Sequence, residues 1–281
     1  MIIRNKNFDF KNRTYVMGII NVTPDSFSDG GKSYSLEAVI DNAEKMIKDG
    51  VDILDIGGES TRPGAEPVSE EEELKRIIPA VFALSNMFDV PISIDSYKWT
   101  VAQKALEAGA DMINDVYGLR DFKGEKNRMA EIAAKYDCPV CIMQGCDLFD
   151  EAGEKSSPEN VINDIKNGFE ESLKIAFEAG INEEKIILDP GVGFGKSYEA
   201  NLKVLSNLEK VKYKDFPMLL GASRKSVIGI TLGLPAGERT EGTLASTAAA
   251  VNAGYGIVRV HDVKENVRFI KMYETILKNR E

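Results

Sequence analysis

The chain of 281 residues carries 35 lysines and arginines against 45 aspartates and glutamates, which gives a formal net charge of −10. Nucleic-acid affinity depends on clustered cations, so this acidic balance argues against a nucleic-acid binder and requires a local cationic pocket for any anionic ligand. A hydrophobic fraction of 43% and a charged fraction of 28% are typical of a globular protein and exclude a disordered or fibrous one.

The compartment is indicated by the N-terminus and by the cysteines. The first twenty residues contain several charged side chains and no apolar core segment, so we expect no secretory signal there. No apolar run approaches the ~18 residues of a membrane span. Cys138, Cys141 and Cys146 are an odd number of closely spaced cysteines, which makes a disulfide framework implausible. We expect a reduced, cytoplasmic protein without membrane contacts.

Short apolar runs of the β-branched kind recur along the whole chain. In order they are YVMGIIN from Tyr15, VDILDIGG from Val51, VPISIDS from Val90, DMINDV from Asp111, PVCIMQG from Pro139, KIILDPG from Lys185, PMLLGAS from Pro217 and GIVRVHD from Gly256. Nearly continuous apolar runs of this length are expected for parallel strands that are buried on both faces. The sequence therefore predicts eight strands.

Helical patterns occupy the segments between the runs. Ser69 with Glu72 forms a capping-box pattern, and Ser157 with Pro158 predicts an N-cap followed by a first-turn proline. A four-residue apolar repeat then predicts a helix with one buried stripe, formed by Val161, Ile165, Phe169 and Leu173.

Eight strands alternating with helices predict a single α/β domain over residues 1–281, a closed (β/α)8 TIM barrel with its site at the C-terminal strand ends. A doubly wound open sheet is the alternative. Residues 1–13 precede the first strand, and we expect them to form a small hairpin that closes the bottom of the barrel.

Polar residues follow each predicted strand, where one mouth of a barrel would collect them. In chain order they are Asn21, Thr61 and Arg62, Asp95, Asn114 with Asp115, Met143 and Gln144, Asp189, Lys225 and Ser226, and Arg259 with His261. A single aspartate at such a position is as often a helix cap or a loop-fixing residue, and a lone histidine is usually structural. Their recurrence at equivalent positions favours a functional site.

Two pairs of these residues predict anion binding. Arg259 and His261 are two residues apart on one strand and so share a face, which favours a site of the phosphate type. Lys225 and Ser226 end a strand and open a helix, whose free N–H groups could bind a carboxylate or a phosphate.

Three other motifs do not predict a nucleotide site or a paired-cysteine site. GVGFGKS lacks the first glycine of a P-loop because Pro190 occupies that position, and its glycine spacing does not fit the dinucleotide fingerprint. Cys138 and Cys141 form C-x-x-C within a strand, where residues three apart face opposite sides, so we expect packed thiols. Mg²⁺ remains possible because it needs few protein ligands beside substrate phosphates.

Seven motifs in order, NVTPDSFSDGG, DIGGESTRPGA, SIDS, INDV, LDPGVGFGKS, GASRKS and RVHD, together resemble the dihydropteroate synthases over nearly the whole chain. The resemblance implies a TIM barrel that condenses (7,8-dihydropterin-6-yl)methyl diphosphate with 4-aminobenzoate to 7,8-dihydropteroate and diphosphate in folate biosynthesis. It implies that diphosphate departs before the amine attacks. It also implies Mg²⁺ as cofactor, a homodimer and binding of sulfonamides as aminobenzoate mimics.

The resemblance also assigns residues to roles. The implied pterin-binding residues are Asp95, Asn114, Met143, Asp189, Phe194, Gly221 and Lys225. The implied diphosphate-binding residues are Asn21, Arg259 and His261, with Asn21 as metal ligand. The implied aminobenzoate-binding residues are Phe27, Thr61, Arg62, Pro63 and Ser226. The implied catalytic residues are Asp95, Lys225 and Asp25.

One residue departs from the family pattern, because Gln144 stands where many members have histidine, and this weakens any role for that side chain. Two alternatives remain open. A pterin-dependent methyltransferase shares the barrel and the acidic pterin pocket but gives no reason for the anion-binding groups. A non-catalytic pterin-binding paralogue would be favoured by loss of Asp95 or Lys225, and both are present.

Overall fold

The computed structural model of the chain describes residues 1–23, 35–60, 66–120, 124, 127–145 and 157–279. Ten strands lie in these ranges. They are β1 (Ile2–Ile3), β2 (Lys6–Asn7), β3 (Tyr15–Asn21), β4 (Ile53–Gly57), β5 (Ile92–Asp95), β6 (Met112–Asp115), β7 (Val140–Met143), β8 (Ile186–Asp189), β9 (Leu219–Leu220) and β10 (Ile257–Val260).

Strands β3 to β10 form one parallel sheet in the order β8-β7-β6-β5-β4-β3-β10-β9. A parallel bridge between Leu188 and Met218 joins the two outer strands, β8 and β9, and brings the sheet to near closure as a barrel. The eight strands coincide with the eight apolar runs, so the predicted TIM barrel is confirmed and the open doubly wound sheet was the wrong alternative.

Ten helices in the described residues surround the sheet. They are α1 (Leu36–Lys48), α2 (Glu70–Met87), α3 (Trp99–Glu107), α4 (Arg128–Lys135), α5 (Val161–Glu178), α6 (Tyr198–Leu205), α7 (Leu208–Val211), α8 (Ser226–Leu232), α9 (Thr240–Asn252) and α10 (Val263–Lys278). No helix within the described ranges combines the length and the apolar character that a bilayer span requires.

Alternating strand residues divide the core into two parts. Residues such as Leu54, Ile142 and Leu188 point outward and pack under the helices. Their neighbours point inward and form an apolar floor inside the barrel, made of Met17, Ile53, Met112, Cys141, Ile187, Leu219 and Ile257. The inward-facing positions two residues further along the strands include the polar side chains of the candidate active site.

The N-terminal hairpin covers this floor. β1 and β2 pair antiparallel, with Ile2 opposite Asn7 and Ile3 opposite Lys6. Ile3 and Phe8 are buried in the same cluster as the floor residues. The expected hairpin at the bottom of the barrel is therefore confirmed.

The two predicted helix starts had different outcomes. Ser69 is the N-cap of α2, and its hydroxyl accepts a hydrogen bond from the Glu72 N–H at 3.2 Å. The predicted start at Ser157 was wrong, because the Ser157 carbonyl accepts from the Asn160 and Val161 N–H groups in a turn and α5 begins only at Val161. The predicted stripe of Val161, Ile165, Phe169 and Leu173 is buried, as expected.

The two described cysteines are packed thiols on opposite sides of the barrel wall, but only Cys141 lies within a strand, because β7 begins at Val140. Cys138 lies under the helices, whereas Cys141 belongs to the barrel floor. Burial raises the pKa of both thiols, that of Cys138 to about 12. Cys146 lies outside the described residues.

Candidate active site

A ring of polar side chains lies above the apolar floor because the inward positions change character there. Ile53, Met112, Ile187 and Ile257 are each followed two residues later by a polar residue on the same face. These four polar residues are Asp55, Asn114, Asp189 and Arg259. Hydrophobic packing of the barrel thus fixes the positions of charges at its mouth.

Arg259 binds two carboxylates within this ring. Its Nε lies 2.5 Å from Asp55 Oδ2, and its Nη2 lies 2.5 Å from Asp95 Oδ2. Asn114 donates from Nδ2 to the same Asp55 oxygen at 3.3 Å. The residues come from β4, β5, β6 and β10, so the network joins half of the barrel strands through their side chains.

The Asp95 carboxyl group has a raised pKa. Burial raises the pKa of its carboxyl group from 3.8 to about 7, and the negative charge of Asp55 acts in the same direction. The positive charge of Arg259 opposes the shift. Asp95 can therefore accept or release a proton near neutrality, or place a negative charge beside an electron-poor ligand.

Asp189 presents a second buried carboxylate. Its Oδ1 accepts a hydrogen bond from the Gly191 N–H at 2.8 Å. A Cβ atom on Gly221 would lie 3.5 Å from Asp189 Oδ2, so the glycine leaves this oxygen uncovered on that side. Burial raises the pKa of Asp189, while the nearby Lys225 ammonium lowers it. A carboxylate of this kind binds paired N–H donors of a heterocycle.

Lys225 reaches into the site over an aromatic ring. Its Nζ lies 4.0 Å from the centroid of the Phe194 ring and donates to the Val192 carbonyl. Burial lowers the pKa of Lys225 to about 7, and the charge of Asp189 opposes this shift. Gly193 makes the approach possible, since a Cβ there would lie 2.6 Å from Lys225 Cδ.

The glycine-rich loop after β8 is held by a second lysine. Lys196 Nζ donates to the carbonyls of Gln144 and Gly191 at 2.9 Å each and to that of Phe194 at 3.1 Å. Gly191 has a φ of 64°, and a Cβ on it would lie 2.0 Å from the Gln144 carbonyl oxygen. Lys196 thus binds backbone carbonyls of this loop and its neighbour, which agrees with the rejection of a P-loop.

An apolar wall completes the site next to Lys225. Tyr97, Val116 and Met143 form a small buried cluster against which Tyr117 and Phe194 pack. The Tyr97 and Tyr117 ring centroids are 5.1 Å apart. A flat heterocycle placed between this wall and the carboxylates would have apolar contacts on its face and polar contacts at its edge.

The rim carries the remaining described candidates. His261 Nδ1 lies 3.0 Å from Ser223 Oγ, and this hydroxyl also accepts the His261 N–H at 3.2 Å. Ser226 is exposed and is the first residue of α8, whose N-cap is Lys225. Asn21 ends β3 and pairs in register with Gly57, which in turn pairs with Asp95.

Comparison with known proteins identifies the family. The model of the pterin binding enzymes matches residues 17–261. A dihydropteroate synthase from Clostridium beijerinckii is 49% identical over 279 residues, which cover 99% of this chain and 100% of the relative. The chain belongs to the dihydropteroate synthase family.

Solved dihydropteroate synthases share the fold at high similarity. The Clostridium difficile enzyme, crystallised in the presence of pteroic acid, has a TM-score of 0.89 and 47% identity, with 96% of this chain and 99% of that chain covered. The Xanthomonas albilineans enzyme with 4-aminobenzoic acid has a TM-score of 0.87 and 36% identity, with 96% and 95% covered.

Within this dihydropteroate synthase fold, the structure brings most of the candidate residues to one mouth. Those in the ring, its wall or its rim are Asn21, Asp95, Asn114, Met143, Asp189, Phe194, Gly221, Lys225, Ser226, Arg259 and His261. Five others lie outside the described residues, namely Asp25, Phe27, Thr61, Arg62 and Pro63. The individual roles of both groups stay predictions.

Two strand-end residues are structural. The Asp115 carboxylate accepts from the Tyr117 N–H at 2.9 Å and from the Leu119 N–H at 2.7 Å, so it fixes the loop after β6. Gln144 points away from the mouth, and its Nε2 donates to Ser172 Oγ of α5 at 3.0 Å. The departure at Gln144 therefore lies outside the ring of polar residues.

Asp55 was not among the predicted site residues. It lies in the middle of β4 and is fully buried, within a run that was interpreted as buried strand. Its Oδ1 has no hydrogen-bond partner among the described residues, although it is buried. The alternation that places Asp189 two residues after Ile187 places Asp55 two residues after Ile53 and could have found it.

A resident metal would have few protein ligands here. Within the described ranges, no group of three or more histidine, cysteine, aspartate or glutamate side chains could hold a metal ion. Mg²⁺ keeps several waters and binds through few protein oxygens together with substrate phosphates. The Asn21 amide oxygen at the mouth fits that limited demand, so the donor set is compatible with Mg²⁺ brought in with a diphosphate.

Proposed function

We propose that the chain condenses (7,8-dihydropterin-6-yl)methyl diphosphate with 4-aminobenzoate to give 7,8-dihydropteroate and diphosphate. The observation that carries this proposal is the arrangement of charge at the mouth. Carboxylates of Asp55, Asp95 and Asp189 and cations of Lys225 and Arg259 lie together beside an apolar wall, in a chain of the dihydropteroate synthase family.

The pterin ring binds in the deeper part of the site. Its pyrimidine edge carries N–H donors, and Asp189 offers a buried acceptor while Asn114 offers both a donor and an acceptor. Met143 and Phe194 cover the faces of the ring, and Gly221 leaves room beside Asp189. Burial of the carboxylates makes each of these polar contacts stronger than it would be in water.

The reaction breaks the bond between the methylene carbon and the diphosphate oxygen, and the electron pair leaves with the diphosphate. Arg259 and His261 stabilise the departing charge, and Asn21 would hold Mg²⁺, which supplies additional positive charge to the diphosphate when bound. The methylene carbon that remains is electron-poor and conjugated with the pterin ring. Asp95 stabilises it electrostatically, because its carboxylate is directed into the same space.

The aryl amine then forms the new carbon–nitrogen bond and loses one proton to water. Ser226 at the start of α8 binds the benzoate carboxylate, and Thr61, Arg62, Pro63 and Phe27 complete this pocket. Lys225 lies between the two substrates, and Asp25 would help to order the loop after β3 around Mg²⁺ when the ion is bound. Sulfonamides are expected to occupy the aminobenzoate position.

The decisive experiment measures dihydropteroate formation and diphosphate release from the pterin diphosphate and Mg²⁺, with and without 4-aminobenzoate. Release that depends on aminobenzoate, with stoichiometric dihydropteroate, is expected. Tight pterin binding without product would favour the methyltransferase or the non-catalytic paralogue.

The expected homodimer, the cytoplasmic location and the single-domain boundaries of residues 1–281 stay predictions. Light scattering coupled to gel filtration tests the dimer directly, with a mass near twice the 30.9 kDa of one chain expected.

A further inference from the structure

Side chains join the ends of β9 and β10 beyond the point where backbone pairing of the two strands stops. The backbone pairs of β9 and β10 join residues 38 apart in the chain. Two side-chain contacts continue the same offset. Ser223 Oγ lies 3.0 Å from His261 Nδ1, and the Arg224 guanidinium donates to both carboxylate oxygens of Asp262, from Nε at 3.0 Å and from Nη2 at 2.5 Å.

The backbone of Arg224 has an unusual conformation for an arginine. Its φ is 58°, in the left-handed region. Arg224 is the third residue of a turn in which the Lys225 N–H donates to the Ala222 carbonyl at 3.3 Å. Glycine is the usual residue at the third position of a turn with positive φ, because a side chain there is strained. An arginine in this place indicates that its side chain has a role of its own.

Three further contacts hold this turn. The Arg224 N–H donates to Thr243 Oγ1 at 3.2 Å, and the Arg224 carbonyl accepts from Arg239 Nη1 at 2.8 Å. The same Arg239 nitrogen lies 3.3 Å from the Lys225 carbonyl oxygen. A strained backbone conformation persists only where its surroundings over-determine it, and such residues cluster at functional sites.

Asp262 binds Arg224 in place of its own helix. Asp262 is the N-cap residue of α10, where an aspartate usually accepts a hydrogen bond from an N–H of the first helical turn. Its side chain makes no such bond, and both of its oxygens accept from Arg224. A cap would stabilise α10 locally, whereas the observed pair connects the turn after β9 to the end of β10.

The pair lies directly beside two candidate site residues. Asp262 follows His261, and Arg224 precedes Lys225. Lys225 is the N-cap of α8, and its Nζ lies 4.0 Å from the centroid of the Phe194 ring. The turn at Arg224 thus sets the direction in which Lys225 leaves β9, and Asp262 fixes that direction relative to β10.

We propose that Arg224 is a positioning residue that, through its left-handed backbone and its ion pair with Asp262, directs the Lys225 ammonium group into the mouth of the barrel. This inference rests on the proposed function, in which Lys225 lies between the two substrates. It assigns Arg224 no contact with substrate. The effect of Arg224 on the reaction is exerted through Lys225.

Arg224→Gly separates positioning from stability, and Arg4→Gly is its matched control. Glycine adopts a positive φ without strain, which offsets part of the stability lost with the ion pair. Arg4 has a φ of 54°, and its Nη1 lies 3.4 Å from Asp111 Oδ2, in the hairpin at the opposite end of the barrel. Both variants therefore remove an arginine from the same backbone conformation and from a pair with an aspartate.

Arg224→Gly is expected to lower kcat/KM for the pterin diphosphate about 10- to 100-fold, because misplacing a reacting group by about 1 Å has an effect of this size. Arg4→Gly should stay within about twofold of the wild-type kcat/KM, even though its ion pair is lost. Steady-state kinetics and urea unfolding of the purified full-length proteins measure activity and stability. Wild-type kcat/KM in Arg224→Gly, or an equal loss in Arg4→Gly, would overturn the proposal.

A double variant shows whether the effect passes through Lys225. In Lys225→Ala the group that Arg224 directs is missing, so adding Arg224→Gly should lower kcat/KM by less than about twofold. A further loss of about tenfold or more would overturn the proposal, because Arg224 would then act on another group.

Asp262→Asn tests the pair even if Arg224→Gly does not fold. It keeps the arginine and the volume of its partner, but the neutral amide offers one acceptor oxygen where the carboxylate offers two. It is expected to lower kcat/KM about tenfold as well. An unchanged kcat/KM in Asp262→Asn would overturn the proposal.

Hydrogen–deuterium exchange gives a readout that does not depend on turnover. Peptides that cover residues 222–228 should exchange faster in Arg224→Gly than in Arg4→Gly. Wild-type protein that forms no dihydropteroate would contradict the proposed function, whereas equal exchange of these peptides in the two variants would contradict the role of Arg224. The two failures are thereby distinguished.

Discussion

Arg259 and Asp95 form an ion pair across the inside of the barrel, with Nη2 2.5 Å from Oδ2. Their strands, β10 and β5, are not neighbours, because β3 and β4 lie between them in the sheet. The pair therefore spans the mouth, and Asp55 on β4 binds the same guanidinium from below. A negative charge next to the pterin and a positive charge next to the leaving group are thus held within one network.

Lys196, in the loop after β8, and Lys225, the N-cap of α8, should behave differently when truncated. Lys225→Ala is expected to lower kcat/KM by about 10² to 10³, as for the loss of one preorganised charge in a reaction site, with little loss of stability. Lys196→Ala is expected to lower stability, because three carbonyls lose their donor. Steady-state kinetics and thermal melts of both variants check this. Turnover at the wild-type rate in Lys225→Ala would contradict the role of Lys225.

Asp55 is expected to be required for activity although it lies below the mouth. Asp55→Asn keeps the volume but removes the charge that binds Arg259, so kcat/KM for the pterin diphosphate should fall about 10-fold or more. Asp52→Asn is the matched control, because Asp52 binds the Val16 N–H and Arg13 on the outside of the same strand region. An Asp55→Asn variant with the kinetics of Asp52→Asn would show that the ring tolerates loss of this charge.

The pH dependence of kcat/KM for the pterin diphosphate should be bell-shaped with a maximum near neutrality. Asp95 has to be ionised, and burial raises its pKa to about 7, which gives the acid limb. Lys225 has to be protonated, and burial lowers its pKa to about 7, which gives the alkaline limb. Lys225→Arg should lose the alkaline limb while the acid limb remains. A flat wild-type profile between pH 6 and pH 8 would be inconsistent with this assignment.

Stability should increase as the pH is lowered from about 7 to about 5. Burial raises the folded-state pKa of Asp95 to about 7 and of Asp115 to about 6, above the ordinary value of 3.8. The folded chain then binds protons that the unfolded chain releases, so this contribution is complete below pH ~4 and is lost as the pH rises through the folded pKa values. Urea unfolding should show a gain on the order of 2–4 kcal/mol at pH 5 over pH 7. A smaller free energy of unfolding at pH 5 than at pH 7 would contradict the sign.

Gln144 is expected to matter for stability alone. Gln144→Ala removes the donor to Ser172 and leaves a space against α5, so the free energy of unfolding should fall by about 1–3 kcal/mol. Both KM values should stay close to those of the wild type, because the side chain points away from the mouth. A selective rise in the pterin KM would place Gln144 in the site after all.

Strand periodicity made the fold predictable, and the site was predictable where residues end a strand. All eight apolar runs became barrel strands, and Asp189, Asn114 and Lys225 were expected at the mouth. Asp55 was missed because it lies inside a run that was interpreted as buried strand. The contacts of Arg224 could not be predicted, because they join chain positions 224, 239, 243 and 262 that only the packing of β9, α9 and β10 brings together.

Local signals were less reliable than periodicity. Ser157 and Pro158 have the composition of a helix start, yet the turn they form precedes α5. The pairing of polar residues across the barrel could not be predicted from local sequence either, since the partners of Arg259 lie 204 and 164 residues away in the chain. Such long-range contacts depend on barrel closure and not on local sequence.

The most direct test of the central claim is the assay of dihydropteroate formation, run on the purified chain with the pterin diphosphate, Mg²⁺ and 4-aminobenzoate. We expect equal amounts of dihydropteroate and diphosphate, no continued release without 4-aminobenzoate, and formation of both products slowed by about 10² to 10³ in Lys225→Ala. Binding of the pterin without either product would contradict the central claim.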